Sequence, residues 1–176
     1  MLNLLAISGS LRAASTNSAL VAALARNAPA GGRVTIYDGL GRLPIFNPDD
    51  EGERTPRAAA ELIDAVTGAD GIIVSCPEYA HGVPGGLKNA LDWLVSRDAA
   101  VAKSAMLVHA SPRSLFARAA LAEIMRTMSF AMYDGGLEIA LLGKKPPEVE
   151  AILAEPGNVL AMRDAVQGFA DFIRTR

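Results

Sequence analysis

Five apolar stretches of strand length recur along the chain with helical periods between them, and this alternation limits the fold to one class. The stretches span residues 2–7, 34–37, 71–75, 105–110 and 137–142. Between them, Ala59, Leu62, Ile63 and Val66 recur at i, i+3, i+4, i+7, as do Leu87, Ala90, Leu91 and Leu94. Val159, Met162, Val166, Phe169, Ala170 and Ile173 form a last apolar stripe. Strand runs that are apolar throughout, rather than alternating, belong to strands covered on both faces. The pattern predicts an α/β doubly wound sandwich: a five-stranded parallel sheet in the order 2-1-3-4-5 with helices on both faces. The 176 residues suit one domain over 1–176, with no internal boundary. Residues 47–53 read as a polar loop, and 143–147 with 155–158 bracket a loose segment before the last helix.

Ligands of such sheets bind beyond the carboxyl ends of the strands, where the strand order reverses between the first and third strands. At the end of the first strand stands Ser8-Gly9-Ser10-Leu11-Arg12-Ala13-Ala14-Ser15-Thr16-Asn17-Ser18, followed by an Ala/Leu-rich helical pattern from Ala19. A helix N-terminus offers unpaired N–H groups and partial positive charge. Ser10, Ser15, Thr16 and Asn17 add short donors, and Arg12 adds a planar fork suited to phosphate. The loop lacks the Walker lysine and the GxGxxG spacing, so a single phosphate, as on a mononucleotide, fits it best. The same residue types also make good N-caps, and capping plus one surface arginine is the plain alternative.

At the end of the third strand stands Cys76-Pro77-Glu78-Tyr79-Ala80-His81-Gly82-Val83-Pro84-Gly85-Gly86-Leu87-Lys88-Asn89-Ala90-Leu91-Asp92-Trp93. The two stretches together resemble the NAD(P)H-dependent FMN reductases, a family of flavodoxin-like quinone, chromate and azo-dye reductases. In that family a G-S-L-R-x-x-S-x-N loop holds the FMN phosphate, and a P-E-Y-x-x-x-x-P-G-x-L-K-N-x-L-D-W segment lies along the flavin ring. The resemblance implies a flavodoxin-like fold with FMN as cofactor and NADPH or NADH as co-substrate. It implies Ser10, Arg12, Ser15, Thr16 and Asn17 around the phosphate. Pro77, Glu78, Tyr79, Ala80, His81 and Gly82 would lie along the ring, with Ser111 and Pro112 offering a tight turn nearby. No side chain is expected to be catalytic, because the flavin performs the chemistry. The implied activity is ping-pong transfer from NAD(P)H to a small acceptor: a quinone, free flavin, azo dye or metal oxyanion. The alternative is a flavodoxin-like electron-transfer or sensor protein without efficient turnover.

Some residues admit two roles. Glu78 reads as a tie between its loop and a neighbouring helix in preference to a proton relay. His81 either donates to a ligand or stands at the rim. His109 reads as a satisfied loop histidine, and Cys76 as a small buried apolar residue. Where many relatives carry glycines after the fourth strand, this chain has Ser111-Pro112-Arg113-Ser114-Leu115-Phe116. Arg113 there either attracts the phosphates of NAD(P)H or stays solvated. Trp93 points off the core face of its helix, and residues 115–128 carry two apolar stripes. Trp93, Leu121, Met125 and Met128 are therefore expected in subunit contacts of a homodimer or homotetramer.

Composition removes other classes. A formal charge of −2 offers no basic field for nucleic acid. The single cysteine excludes an internal disulfide, and no cluster has metal-ligand spacing. No apolar run reaches the length of a membrane span, and no basic leader precedes the first strand. A cytoplasmic setting is the expectation.

Overall fold

The computed structural model describes residues 1–96 and 98–176. Five strands form one parallel sheet in the order β2-β1-β3-β4-β5: β1 Leu2–Ser8, β2 Gly32–Tyr37, β3 Gly71–Ser75, β4 Ser104–His109 and β5 Ala131–Glu138. Six α-helices accompany them: α1 Thr16–Arg26, α2 Arg57–Thr67, α3 Gly85–Asp92, α4 Leu115–Thr127, α5 Pro146–Ala154 and α6 Pro156–Arg174. The sheet order is the one the alternation predicts. It follows from strands apolar on both faces: on β1, Leu5 and Ile7 enter one core while Leu4 and Ala6 enter the other. The first core is completed by α2, α3 and α4, and the second by α1, α5 and α6.

The fifth strand departs from expectation. It runs over Ala131–Glu138 rather than 137–142, so its first six residues are Ala-Met-Tyr-Asp-Gly-Gly. An edge strand buries only part of its length and tolerates glycine and polar residues. The register slips between Met106 and Val108, and a Cβ on Gly136 would lie 2.8 Å from the Leu107 carbonyl oxygen. Glycine is needed at this irregularity because the backbones approach too closely for a side chain. The segment expected to be loose is the helix α5. Pro146 at its start, the Lys145 N–H donating to the Glu148 carboxylate (2.9 Å), and buried Val149 and Leu153 account for it.

The expected interface residues lie inside the chain. Trp93 is fully buried; its Nε1 donates to the Pro44 carbonyl (2.9 Å), and its ring meets Phe46 edge-on at 5.0 Å. Asn89 donates to the same carbonyl (2.9 Å) and accepts from the Phe46 N–H (2.7 Å). The second half of the long motif therefore pins the connection between β2 and α2. An indole oriented off its own helix's core face finds that connection as its cover. Leu121, Met125 and Met128 pack into the α2–α3–α4 core. The exposed apolar residues of α4 are instead Leu115 and Phe116, with Ala119 beside them. No helix among the described residues is long and apolar enough to cross a membrane.

Candidate functional site

The carboxyl ends of β1 and β3 meet through Gly9, whose N–H donates to the Ser75 carbonyl (2.8 Å). A Cβ at position 9 would lie 2.8 Å from Leu87 and 3.3 Å from Pro77, so glycine lets the two motif loops lie side by side. A buried hydrogen bond from Ser75 Oγ to Asn17 Oδ1 (2.9 Å) joins the end of β3 to the first turn of α1. With its oxygen engaged, the donor end of the Asn17 amide is left for a ligand. The Ser8 and Ser18 hydroxyls share a hydrogen bond of 2.9 Å, and Ser15 caps α1 by accepting from the Ser18 N–H (3.2 Å). Among the described residues nothing accepts from the N–H groups of Thr16 and Asn17, which stay open at the helix end.

In front of this end lies a cavity of about 710 Å³. Ser10, Arg12, Ser15, Thr16 and Asn17 line it from the first loop, Pro77, Glu78 and Tyr79 from the second, and Ser111, Arg113 and Ser114 from the third. Of the residues expected at the site, Ala80, His81, Gly82 and Pro112 do not line it. The first three belong to a tight turn. The Tyr79 N–H donates to the Gly82 carbonyl (3.2 Å) and the Gly82 N–H to the Tyr79 carbonyl (3.0 Å). Ala80 and His81 sit between them with φ of 49° and 58°. Two of the loop's N–H groups are thus used within the turn, leaving those of Glu78, Ala80 and His81 without a partner among the described residues. His81 is exposed at the rim and stacks on Phe116, with centroids 4.3 Å apart.

Glu78 is a tie between elements, as its setting suggests. Its carboxylate accepts from the Ala117 N–H (2.9 Å) in the first turn of α4, which Ser114 leaves uncapped. Cys76 is buried, and burial, reinforced by the Glu78 carboxylate, pushes its thiol up to about 12. It stays protonated and unreactive near neutral pH. His109 is not the satisfied histidine expected. Its Nδ1 and the Nε of Arg118 are sealed from solvent with no partner among the described residues. Burial, aided by the Arg118 guanidinium and opposed by the Glu138 carboxylate, pushes the imidazole down to about 4. Arg118 donates to the Ser111 carbonyl and pairs with Glu138, tying the third loop to the end of β5.

One wall of the cavity lies outside the loops expected from the sequence. Residues 142–146 and the start of α5 close it, bringing Lys144 and Lys145 to the lining. The Gly-Lys-Lys-Pro-Pro run with Glu148 three residues after Lys145 is a helix start that reading could have found. The cavity carries four cationic side chains, Arg12, Arg113, Lys144 and Lys145, against the carboxylates of Glu78 and Glu150. None of the four cations makes an ion pair among the described residues. A protein of net negative charge has concentrated positive charge where three strand ends open. Such a cavity suits a phosphorylated ligand.

Comparison with known proteins agrees with this geometry. A family model described as NADPH-dependent FMN reductase matches residues 2–139. The quinone reductase of Escherichia coli (strain K12) is 36% identical over 94 residues, which are 53% of this chain and 50% of that protein. The chain thus spans about half the length of that relative. A subunit of the NADH:(hydroxy)cinnamate reductase of Vibrio ruber is 32% identical over 147 residues, covering 81% of this chain and 72% of that one. Among solved structures, the flavoenzyme NAD(P)H:(acceptor) oxidoreductase of Paracoccus denitrificans superimposes with a TM-score of 0.79 at 23% identity, over 99% of this chain and 98% of that one. By the extent of the family match and the motifs that line its cavity, this chain belongs to the NADPH-dependent FMN reductase family.

Proposed function

We propose that residues 1–176 act as one FMN-binding oxidoreductase domain that takes hydride from NAD(P)H and passes electrons to a small acceptor. Quinones come first among the acceptors, with free flavin, azo dyes and metal oxyanions as further candidates. The single observation that carries this reading is the cavity itself, where the two motif loops and the third loop converge on an open helix end beside Arg12, which makes no ion pair among the described residues. Its donor set fits a flavin mononucleotide. Arg12, the Ser10 hydroxyl, the Thr16 and Asn17 N–H groups and the Asn17 amide would hold the phosphate. Pro77, Glu78 and Tyr79 would border the ring, and the unpaired N–H groups of Glu78, Ala80 and His81 would be donors for its polar edge. Bound FMN would supply the hydride acceptance and electron transfer; the chain supplies position, electrostatics and access.

Within this reading the chain's residues do little proton chemistry. The Glu78 carboxylate is engaged by α4, and the Cys76 thiol stays protonated. One opening then serves the hydride donor and the acceptor in turn, which is a ping-pong scheme. Assembly into a homodimer or homotetramer belongs to the same proposal. Leu115, Phe116 and Ala119, joined to the Tyr79–Gly82 turn through the His81–Phe116 stack, offer the apolar surface for a second copy. A lone buried thiol suits a reducing cytoplasm.

Titrating the apoprotein with FMN and riboflavin tests the proposal. FMN should bind far more tightly, and Arg12→Ala should weaken FMN by about 2–3 kcal/mol while leaving riboflavin almost unchanged. Initial rates with NADPH and a quinone should give parallel double-reciprocal lines, and sedimentation should show more than one copy. Tight FMN binding without NAD(P)H oxidation would leave a flavin-binding protein that is not an enzyme. Equal affinity for FMN and riboflavin would remove the first loop from the site.

A further inference from the structure

The family match ends at residue 139, and the cavity does not. Its outer wall is the β5–α5 connection, and α5 packs against α1, whose first turn lines the same cavity. The connection is built rather than loose. Gly143 turns it with a φ of 79°, the Lys144 N–H donates to the Leu141 carbonyl (3.2 Å), and the Lys145 N–H is held by Glu148. Two prolines, Pro146 and Pro147, open α5, so its first two positions present no N–H to an anion. What this wall offers an anion is therefore the charge of Lys144 and Lys145. Both are exposed and outside every ion pair among the described residues.

The first loop and the start of α1 already carry a complete set for one phosphate: the Arg12 fork, the open N–H groups of α1 and the Ser10 hydroxyl. Arg113, Lys144 and Lys145 exceed what a mononucleotide's single phosphate requires. Lysine ammonium groups are flexible point charges, suited to a phosphate that arrives and leaves rather than one held in fixed geometry. If the proposed function holds, on which this inference rests, the remaining anionic ligand of the cavity is the hydride donor. We propose that Lys144 and Lys145, together with Arg113 of the third loop, bind the phosphates of the pyridine dinucleotide and favour NADPH over NADH. NADPH carries one more phosphate group, and two adjacent ammonium groups reward that extra charge. The specificity element thus lies in a segment beyond the family match.

The test uses the FMN-loaded protein and the variant Lys144→Ala/Lys145→Ala. NADP⁺ and NAD⁺ are titrated into each by calorimetry at low and moderate salt. Apoprotein is titrated with FMN by flavin fluorescence, and KM and kcat are measured with both reduced nucleotides. NADP⁺ should bind the wild type more tightly than NAD⁺, and the variant should lose roughly 5- to 20-fold in NADP⁺ affinity. KM for NADPH should rise by a similar factor with kcat near wild type, because such contacts bind ground state and transition state alike. Added salt should narrow the gap between the proteins. Lys144→Arg/Lys145→Arg should restore the preference, and FMN affinity should not move. Unchanged NADP⁺ affinity would overturn the inference alone, with the proposed function intact. Weakened FMN would also overturn it, by assigning the lysines to the cofactor's phosphate. A wild type that binds no FMN would overturn the function and the inference together.

Discussion

Ala80 and His81 hold a left-handed backbone in which a Cβ crowds the following carbonyl. Each such residue costs about 1–3 kcal/mol and persists only where its surroundings enforce it. Here the paired Tyr79–Gly82 hydrogen bonds enforce it, beside the cavity mouth. Asparagine tolerates this conformation better than alanine, so Ala80→Asn should raise the unfolding free energy by about 0.5–1 kcal/mol. Urea unfolding measures this; an unchanged or lower midpoint would mean the turn is not strained. The sequence hid this turn, because Ala-His carries none of the Gly or Asn signals that mark positive φ. Other residues were legible because their chemistry is local. Ser10, Arg12, Ser15, Thr16 and Asn17 all line the cavity, since a strand end, a short polar loop and a helix start can only be arranged in one way. Lys144 and Lys145 were not legible as part of that lining, because what brings them there is the packing of α5 on α1.

Helix α4 begins without a cap from its own chain neighbourhood, since the Ser114 side chain makes no capping bond. The Glu78 carboxylate, from a different loop, accepts from Ala117 instead. Removing it leaves a first-turn N–H without its acceptor, and Glu78→Ala should cost about 1–2 kcal/mol of stability. Glu78→Gln should retain most of it, because an amide oxygen still accepts. Thermal unfolding of the two variants separates these outcomes; equal losses would point to charge rather than the cap. At this scale the sequence reading erred where an element lacked a strong period. The edge strand β5 mixes glycine and polar residues, and α5 is short and carries two prolines. Conversely, β3, buried throughout, matched its expected limits because a central strand must be apolar on both faces.

At the scale of the molecule, pH should act through the corner where β4 and β5 end. An unfolded histidine takes up its proton near 6.5, whereas folded His109 does so only near 4. Between those values the unfolded chain holds the extra proton. Stability contributed by the neutral imidazole is therefore present above about pH 6.5 and is lost as pH falls towards 4. The wild type should lose stability more steeply than His109→Gln between pH 7 and 4.5, read from urea midpoints. Parallel slopes would remove His109 as the cause. The whole-molecule architecture was the most legible level, since the order of five strands follows from where the apolar runs and helical periods fall. Which apolar side chains stay exposed was the least legible. A helical stripe states which residues are apolar, not which of them a neighbouring element already covers, and Trp93 and Met125 proved to be covered.

The sheet that separates the two cores also makes the molecule a laminate, with a consequence for how it tolerates change. The α2–α3–α4 side carries the inner end of the long motif, while the α1–α5–α6 side carries the helix that follows the first loop and the segment of Lys144 and Lys145. Disturbance in one layer reaches the other only through strands held in register by their ladder. Val66 and Val166 are both fully buried, one in each layer. Val66→Ala and Val166→Ala should each cost about 2 kcal/mol, and the double variant should lose their sum to within about 0.5 kcal/mol. A larger coupling would mean the layers communicate through the strands. Additivity would mean that either side can drift or be redesigned without retuning the other, so the segment of Lys144 and Lys145 can change its charge while the other layer stays as it is.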